Sequence, residues 1–301
     1  MKNRISRVIL PVAGLGTRFL PVTKSVPKEL IPVVDKPIIH YAIEEALSAG
    51  ISDIILVNHP DKDAIENYFA YDQRLESSLK DKEKLHLLEP VLALREQNLK
   101  IQTVYQHDPL GLGHAVLCAR DLCDGETVAV ILPDDLIISK EQSCLQQMLE
   151  IHQRFNCGVI AVENVPREQT NHYGIVEIKT EEPGYNRITS IVEKPMPDAA
   201  PSTLAVVGRY ILPASIFDLL AHTSSGAGGE IQLTDAIAAL LEQEPVMACE
   251  FTGTRYDCGS RLGYLQANVA LGLEDRDFGK VFAEYLDQVV MAPRDGLEPP
   301  T

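Results

Sequence analysis

The chain has 301 residues, 45% of them hydrophobic, and a formal charge of −16. That length and apolar content suit one large α/β domain or two smaller ones with a sizeable core, and exclude a disordered chain. The acidic balance argues against nonspecific binding to nucleic acid or acidic lipid, so neither a nucleic acid nor a membrane is expected as a partner.

In chain order, "RVILPVAG" predicts a short buried parallel strand ending in glycine. Pro37 can open a helix. Ile39, Ala42, Ile43, Ala46 and Leu47 follow at helical spacing, and Gly50 is placed to end it. "DIILVNH" predicts the next strand, and Asp61 or Asp63 could cap a helix through Tyr71. "QRLESSLKDKEKL" predicts a charged, solvated helix reaching off the main body. "IQTVYQ" predicts a strand, "LGHAVLCARDL" a helix, and "TVAVILPDD" a β-branched strand ending in acids. Strands alternating with helices imply a parallel sheet with right-handed crossovers.

The pattern then changes. "YGIVEIKTEEPGYNRITSIVEKP" alternates apolar and polar residues around a Pro-Gly turn and predicts a hairpin. "LAVVGRYIL" predicts a strand, "EIQLTDAIAALLEQ" an amphipathic helix, and "GSRLGYLQANVALGL" and "GKVFAEYLDQVV" two C-terminal helices. The Pro-rich end "MAPRDGLEPPT" is expected to be disordered. With no internal repeat and no long linker, both halves are expected to share one sheet. The six cysteines show no C-x-x-C pair, which argues against a zinc ribbon or redox motif and fits a reducing cytosol. No credible signal peptide and no apolar run of the ~20 residues a membrane span needs can be found. A cytoplasmic protein is expected.

Gly14-Leu15-Gly16-Thr17-Arg18 follows the first strand. Glycines there let backbone N–H groups approach phosphate oxygens, Thr17 adds a hydroxyl, and Arg18 a planar cationic fork. The setting is basic: residues 1–36 carry +5 and the remainder −21. Such a patch on an anionic body suits a small anionic ligand in a cleft, although a solvated basic terminus would carry the same charge. A dinucleotide fingerprint would need a third glycine where Phe19 stands, and Pro21 falls where its phosphate-binding helix would run. A Walker A loop would need Gly-Lys-Ser/Thr. The third reading is a nucleotide loop that wraps the phosphates as an extended segment, which Pro21, Pro27 and Pro32 favour.

The stretch "AGLGTRFLPVTKSVPKELIPVVDKP" resembles the signature of the sugar-1-phosphate nucleotidyltransferases. The resemblance continues through "QHDPLGLGHAV", "VILPDD", "YGIV", "VEKP", "VGRYIL", "GAGGEIQLTDAI" and "YDCGSRLGY", nearly the whole chain. Within that family "PKE" is similar to the uridylyl form of the loop rather than the "SKQ" of the thymidylyl form. The fold implied is α/β: a Rossmann-like, mixed, mostly parallel sheet flanked by helices, GT-A-like, with a small antiparallel sugar-side subdomain and C-terminal helices. One nucleotidyltransferase domain is expected over 1–288. It would comprise a nucleotide-binding half to about 136, a sugar-binding half to about 258 and C-terminal helices to 288, with a disordered tail at 289–301.

The reaction the resemblance implies is UTP plus α-D-glucose 1-phosphate giving UDP-glucose and pyrophosphate. The same chemistry with dTTP, or a noncatalytic regulatory paralogue, are the alternatives. The attacking phosphate oxygen is already anionic near pH 7, because a phosphate monoester's second pKa is about 6. Cations and a metal are therefore expected, not a proton-shuttling triad.

Gly14, Gly16 and Thr17 would cradle the UTP phosphates, with Ala13 and Glu29 in the same nucleotide set. Arg18 would neutralise charge on the leaving pyrophosphate, and Lys28 would contact nucleotide phosphates. Asp134, at a predicted strand end, would be the main Mg2+ ligand, with Asp257 second. Gln106 would read uracil by donating to O4 and accepting from N3–H, with Gly111 beside it. Glu193, Gly174 and Glu230 would contact the sugar and Lys194 its phosphate. His107 and His114 receive no role, and Tyr173, Tyr210 and Tyr256 are expected in the core or at the rim. A homo-oligomer, dimer or tetramer, is expected through the C-terminal helices.

Overall fold

The apolar runs become the strands of one nine-stranded sheet in a computed structural model that describes residues 5–226 and 229–291. The chain opens with β1 (Arg7–Pro11), the short β2 (Pro32–Val33) and β3 (Lys36–Pro37), and α1 (Ile38–Ser48). β4 (Asp53–Asn58), α2 (Asp63–Phe69), α3 (Gln73–Asp81), α4 (Leu85–Glu96), β5 (Lys100–Tyr105) and α5 (Leu112–Cys118) follow. The middle holds β6 (Val128–Ile131), β7 (Asp135–Ile138), α6 (Cys144–Phe155), β8 (Gly158–Asn164), β9 (Gly174–Glu182), β10 (Tyr185–Glu193) and β11 (Leu204–Leu212). Then come α7 (Ser215–His222), α8 (Leu233–Leu241), β12 (Val246–Glu250), β13 (Thr254–Asp257), α9 (Arg261–Glu274) and α10 (Gly279–Met291).

The sheet order is β5-β4-β1-β6-β11-β8-β12-β10-β9. β5, β4, β1 and β6 run parallel. β11 is antiparallel to β6 and β8, β12 is parallel to β8, and the β9–β10 hairpin closes the far edge. Alternate residues serve opposite faces, as the strand period requires. Val8 and Leu10 pack with residues of α1 and α6, and Ile9 with residues of α5, α7 and α8. Val8, Ile9 and Leu10 are fully buried, each worth roughly 1.5–3 kcal/mol. A third cluster joins Ile31 and Val33 to Leu136, Cys258 and Ala267, and so docks α9 beside β2 and β7.

Four local expectations change. Neither Asp61 nor Asp63 caps α2, whose N-cap residue is Lys62. The charged helix stops at Asp81, Glu83 turns at φ 54, and α4 follows with Pro90 inside it. A proline at that point reads in sequence as a helix breaker. β6 ends at Ile131, so Asp134 stands not on a strand end but in the turn into β7. Finally, α10 continues through Met291. The remainder of the expected tail, 292–301, lies outside the described residues.

Candidate active site

The carboxyl ends of the parallel strands carry the first group of residues, where open α/β sheets place ligands. The chain leaving β1 is not extended throughout. It folds into three 3-10 turns, Thr17–Phe19, Val22–Lys24 and Lys28–Leu30. Pro21 itself takes a helical conformation, φ −88 and ψ −10. Gly16 adopts φ 63, and a Cβ there would stand 3.1 Å from Lys28 Cβ and 3.2 Å from Thr23 Cγ2. The carbonyl of Gly16 accepts from Thr23 Oγ1 at 2.8 Å. Gly14, Thr17 and Arg18 are exposed, whereas Ala13 is buried and offers only backbone.

Lys62, just beyond β4, lies beneath this loop and had no sequence signal. Its Nζ donates to the carbonyls of Val12 and Gly14 at 2.7 and 2.5 Å and to Glu29 Oε2 at 3.1 Å. Glu29 is only 1% exposed, and its Oε1 is a buried atom without a hydrogen-bond partner. Burial pushes the Glu29 carboxyl up, against the pull of Lys62 and Lys28. Burial also lowers the Lys62 ammonium despite Glu29.

Lys28 Nζ donates to Asp134 Oδ2 at 2.5 Å. Burial disfavours both charges. The ammonium beside it nonetheless holds Asp134 below the usual carboxylate range, and Asp134 with Glu29 raises Lys28. Asp257 ends β13, which pairs with β7, and Cys258 N donates to Asp134 O at 2.7 Å. This brings the two carboxylates together. A Cβ on Gly259 would stand 3.0 Å from Asp134 Oδ2 and 3.0 Å from Asp257 Oδ1, so the missing side chain leaves a cradle between them. No group of three or more His, Cys, Asp or Glu suited to a metal occurs among the described residues.

The Asp134 turn is braced from behind by groups absent from the sequence reading. Asp135 accepts from Gly208 N at 2.8 Å and from Arg255 Nε at 2.7 Å. Arg255 also pairs with Glu163 at 2.6 Å and lies over the Tyr173 ring. Arg209, 1% exposed, donates to Leu132 O and Gly208 O and pairs with Glu45. Burial raises the Asp135 carboxyl against the opposing charge of Arg255.

Gln106 extends β5, its N donating to Asn58 O at 2.8 Å. Its amide nitrogen donates to Gly111 O at 3.1 Å and lies 2.9 Å from His114 Nδ1. With Nε2 so placed, Oε1 is the carboxamide atom left without a partner among the described residues, whereas the sequence reading uses both ends of the amide. Gly111, at φ 95, packs so closely on Glu230 and Ile231 that a Cβ would come within 2.8 Å of Glu230 Cβ.

On the opposite side, Gly174 pairs in register with Glu193. Thr234 Oγ1 donates to Glu193 Oε2, and Lys194 Nζ lies 3.2 Å from Glu193 Oε1. Lys194 has φ 45, a left-handed conformation unusual for a residue with a side chain. One cleft of about 660 Å³ is lined by Arg18, Asp134 and Asp257 together with Gly174, Glu193, Lys194 and Glu230. Ala13, Gly14, Gly16, Thr17, Lys28, Glu29, Gln106 and Gly111 are not on its walls. Thr234, Asp135 and Arg255 line it as well, although none was singled out from the sequence.

The sequence model described as nucleotidyl transferase matches residues 7–273. The chain is 44% identical to the UTP–glucose-1-phosphate uridylyltransferase of Bacillus subtilis (strain 168), over 95% of its own length and 97% of that relative. A structure of UTP-bound UGPase from Acinetobacter baumannii superposes with a TM-score of 0.88 at 44% identity, covering 95% of this chain and all of that one (100%). A UDP-glucose pyrophosphorylase complexed with UDP-glucose superposes with a TM-score of 0.82 at 40% identity, over 90% of this chain and 100% of that one.

Proposed function

The chain belongs to the nucleotidyl transferase family, and from that premise we propose that it transfers the uridylyl group of UTP to α-D-glucose 1-phosphate, forming UDP-glucose and releasing pyrophosphate. The observation that carries this reading is the single cleft. Arg18 and the Asp134–Asp257 pair line it together with Glu193, Lys194 and Gly174. Groups suited to a triphosphate thus share one cleft with groups suited to a phosphorylated sugar.

A phosphate oxygen of the sugar attacks the α-phosphorus of UTP in line. The P–O bond to the β-phosphate breaks, and pyrophosphate leaves with the electron pair. The nucleophile is already ionised, so the protein orients two polyanions and offsets their repulsion. The exposed Gly14–Thr17 backbone and hydroxyl cradle the nucleotide phosphates. Arg18 meets the charge growing on the leaving group, and Lys28 contacts the nucleotide phosphates. Lys194 holds the sugar phosphate while Glu193, Gly174 and Glu230 bind hydroxyls. Gln106 accepts from the base, with Gly111, Ala13 and Glu29 around it.

Asp134 and Asp257 would hold Mg2+, which favours few carboxylates alongside phosphate oxygens and water. Two carboxylate oxygens converging on an open cradle fit that ion. Bound there, it would spread the negative charge of the phosphates.

The exposed apolar side chains of Leu262, Leu265 and Leu273 on α9, and Phe278, Val281 and Tyr285 on and beside α10, support the expected homo-oligomer contact. The six cysteines are all free thiols, which supports a reducing cytoplasm. No helix among the described residues is long and apolar enough to cross a membrane.

A pyrophosphate-release assay over a matrix of nucleoside triphosphates and sugar 1-phosphates, with product mass, tests the reading. UDP-glucose from UTP and glucose 1-phosphate, dependent on magnesium, is the expected result. Preference for dTTP would move the chain to thymidylyl transfer, and no turnover with any triphosphate would make it a regulatory paralogue.

A further inference from the structure

His114 stands three residues after Gly111, on the same face of α5, one turn beyond the point where the helix begins. The carboxamide of Gln106 lies between these two residues. Gly111 O is a carbonyl and can only accept, so the end of the carboxamide facing it must be nitrogen. One hydrogen of that nitrogen goes to Gly111 O at 3.1 Å. The other points at His114 Nδ1, 2.9 Å away. Nδ1 must then supply a lone pair, which places the ring proton of a neutral His114 on Nε2. The two contacts fix the amide against turning over. Gln106 Oε1, by contrast, receives no hydrogen bond from the described residues.

We propose that His114 sets the pyrimidine selectivity of the nucleotide site by locking Gln106 as a hydrogen-bond acceptor. This rests on the reading of Gln106 as the residue that meets the base. Uracil presents N3–H, which Oε1 accepts. Cytosine presents the N3 lone pair at the same place, and two acceptors would then face each other in a buried site. A free carboxamide could rotate to offer cytosine its N–H. The held one resists, because rotation would set Oε1 against the Gly111 carbonyl and would require His114 to move its ring proton from Nε2 to Nδ1. The lock therefore separates UTP from CTP. It does not separate UTP from dTTP, whose bases share the N3–H edge.

The test measures kcat and KM for UTP and for CTP with saturating glucose 1-phosphate and magnesium. It compares the wild type with His114→Leu, His114→Asn and Gln106→Leu. His114→Leu is expected to raise the KM for UTP more than it lowers kcat, and to narrow the UTP-to-CTP ratio of kcat/KM by about tenfold. His114→Asn can present an amide oxygen where Nδ1 stood and is expected to restore the ratio. Mere structural damage would depress both substrates alike and leave the ratio unchanged. If His114→Leu keeps the wild-type ratio while Gln106→Leu loses it, Gln106 still reads the base but the lock is overturned. If both variants keep it, the base-reading role of Gln106 falls and the lock with it.

Discussion

Lys28 Nζ and Asp134 Oδ2 stand 2.5 Å apart, tying the segment between β1 and β2 to the turn between β6 and β7. The same carboxylate oxygen faces the cradle it shares with Asp257. Removing it takes away one of the two carboxylates that flank Gly259 and are proposed to hold Mg2+. Asp134→Ala is expected to abolish magnesium-dependent turnover at ordinary metal concentrations, and EDTA to stop the wild type. Full activity of the variant would move the metal site elsewhere.

Arg18 is an exposed cation on the cleft wall, and in the proposed reaction it meets charge developing on the leaving group. Losing one such stabiliser costs roughly 10²–10³ in kcat. Arg18→Ala should show a fall of that size in steady-state pyrophosphate release. A near-normal kcat would remove Arg18 from the mechanism.

Lys62 pairs with the buried Glu29 and holds two carbonyls of the phosphate loop. Lys62→Met leaves a buried acid uncompensated, which costs about 3–5 kcal/mol. The double variant Lys62→Met with Glu29→Met should recover much of that loss, since an apolar pair needs no counter-charge. Urea unfolding of the three proteins reads both effects. A loss below ~1 kcal/mol in the single variant would put the pair in the class of solvated surface bridges.

Burial pushes the thiols of Cys123, Cys249 and Cys258 up to about 12 and that of Cys157 up to about 11. Thiolate is the reactive form, so these groups should resist a disulfide reagent at pH 8 in the native protein and react once it is denatured. The sign for stability follows. A folded pKa raised above the unfolded value of about 8.5 favours the native state at neutral pH, and the advantage is lost as pH climbs from there toward 11–12. Rapid titration of all six thiols in the native protein would contradict the burial.

Much of the cleft could be read locally. The glycine loop, Asp134, the Glu193–Lys194 pair and Asp257 each sit in short ordered motifs, and the comparisons place those motifs in a shared fold. What escaped was carried by register. Lys62, in "HPDKDA", reads as an ordinary helix-entry charge. Pairing of Leu10 with Leu56 and Pro11 with Val57 sets the end of β4 beside the loop that leaves β1. Arg255 became visible only through β13 pairing with β7, which lays it against Asp135. His114 was noticed but had no partner, because its contact with Gln106 depends on how the chain turns between 106 and 111. That contact, together with the one to Gly111 O, engages the amide nitrogen that a sequence reading assigns to uracil O4.

The helix α9 begins four residues after Asp257 and lies against the opening loop at several points. Arg261 Nε donates to Arg18 O at 3.0 Å, Tyr264 OH to Pro32 O at 2.8 Å, and Asn268 Oδ1 accepts from Val34 N at 3.0 Å. The Tyr264 ring meets Phe19 edge-on at 5.7 Å. A chain cut after Asp257 would retain every strand and every acid and cation placed in the cleft, yet would release the segment bearing Arg18 from all four of these moorings. The distal end of the polypeptide thus finishes a site that its first forty residues begin, and partial chains, however well folded, lack the brace on their principal cation.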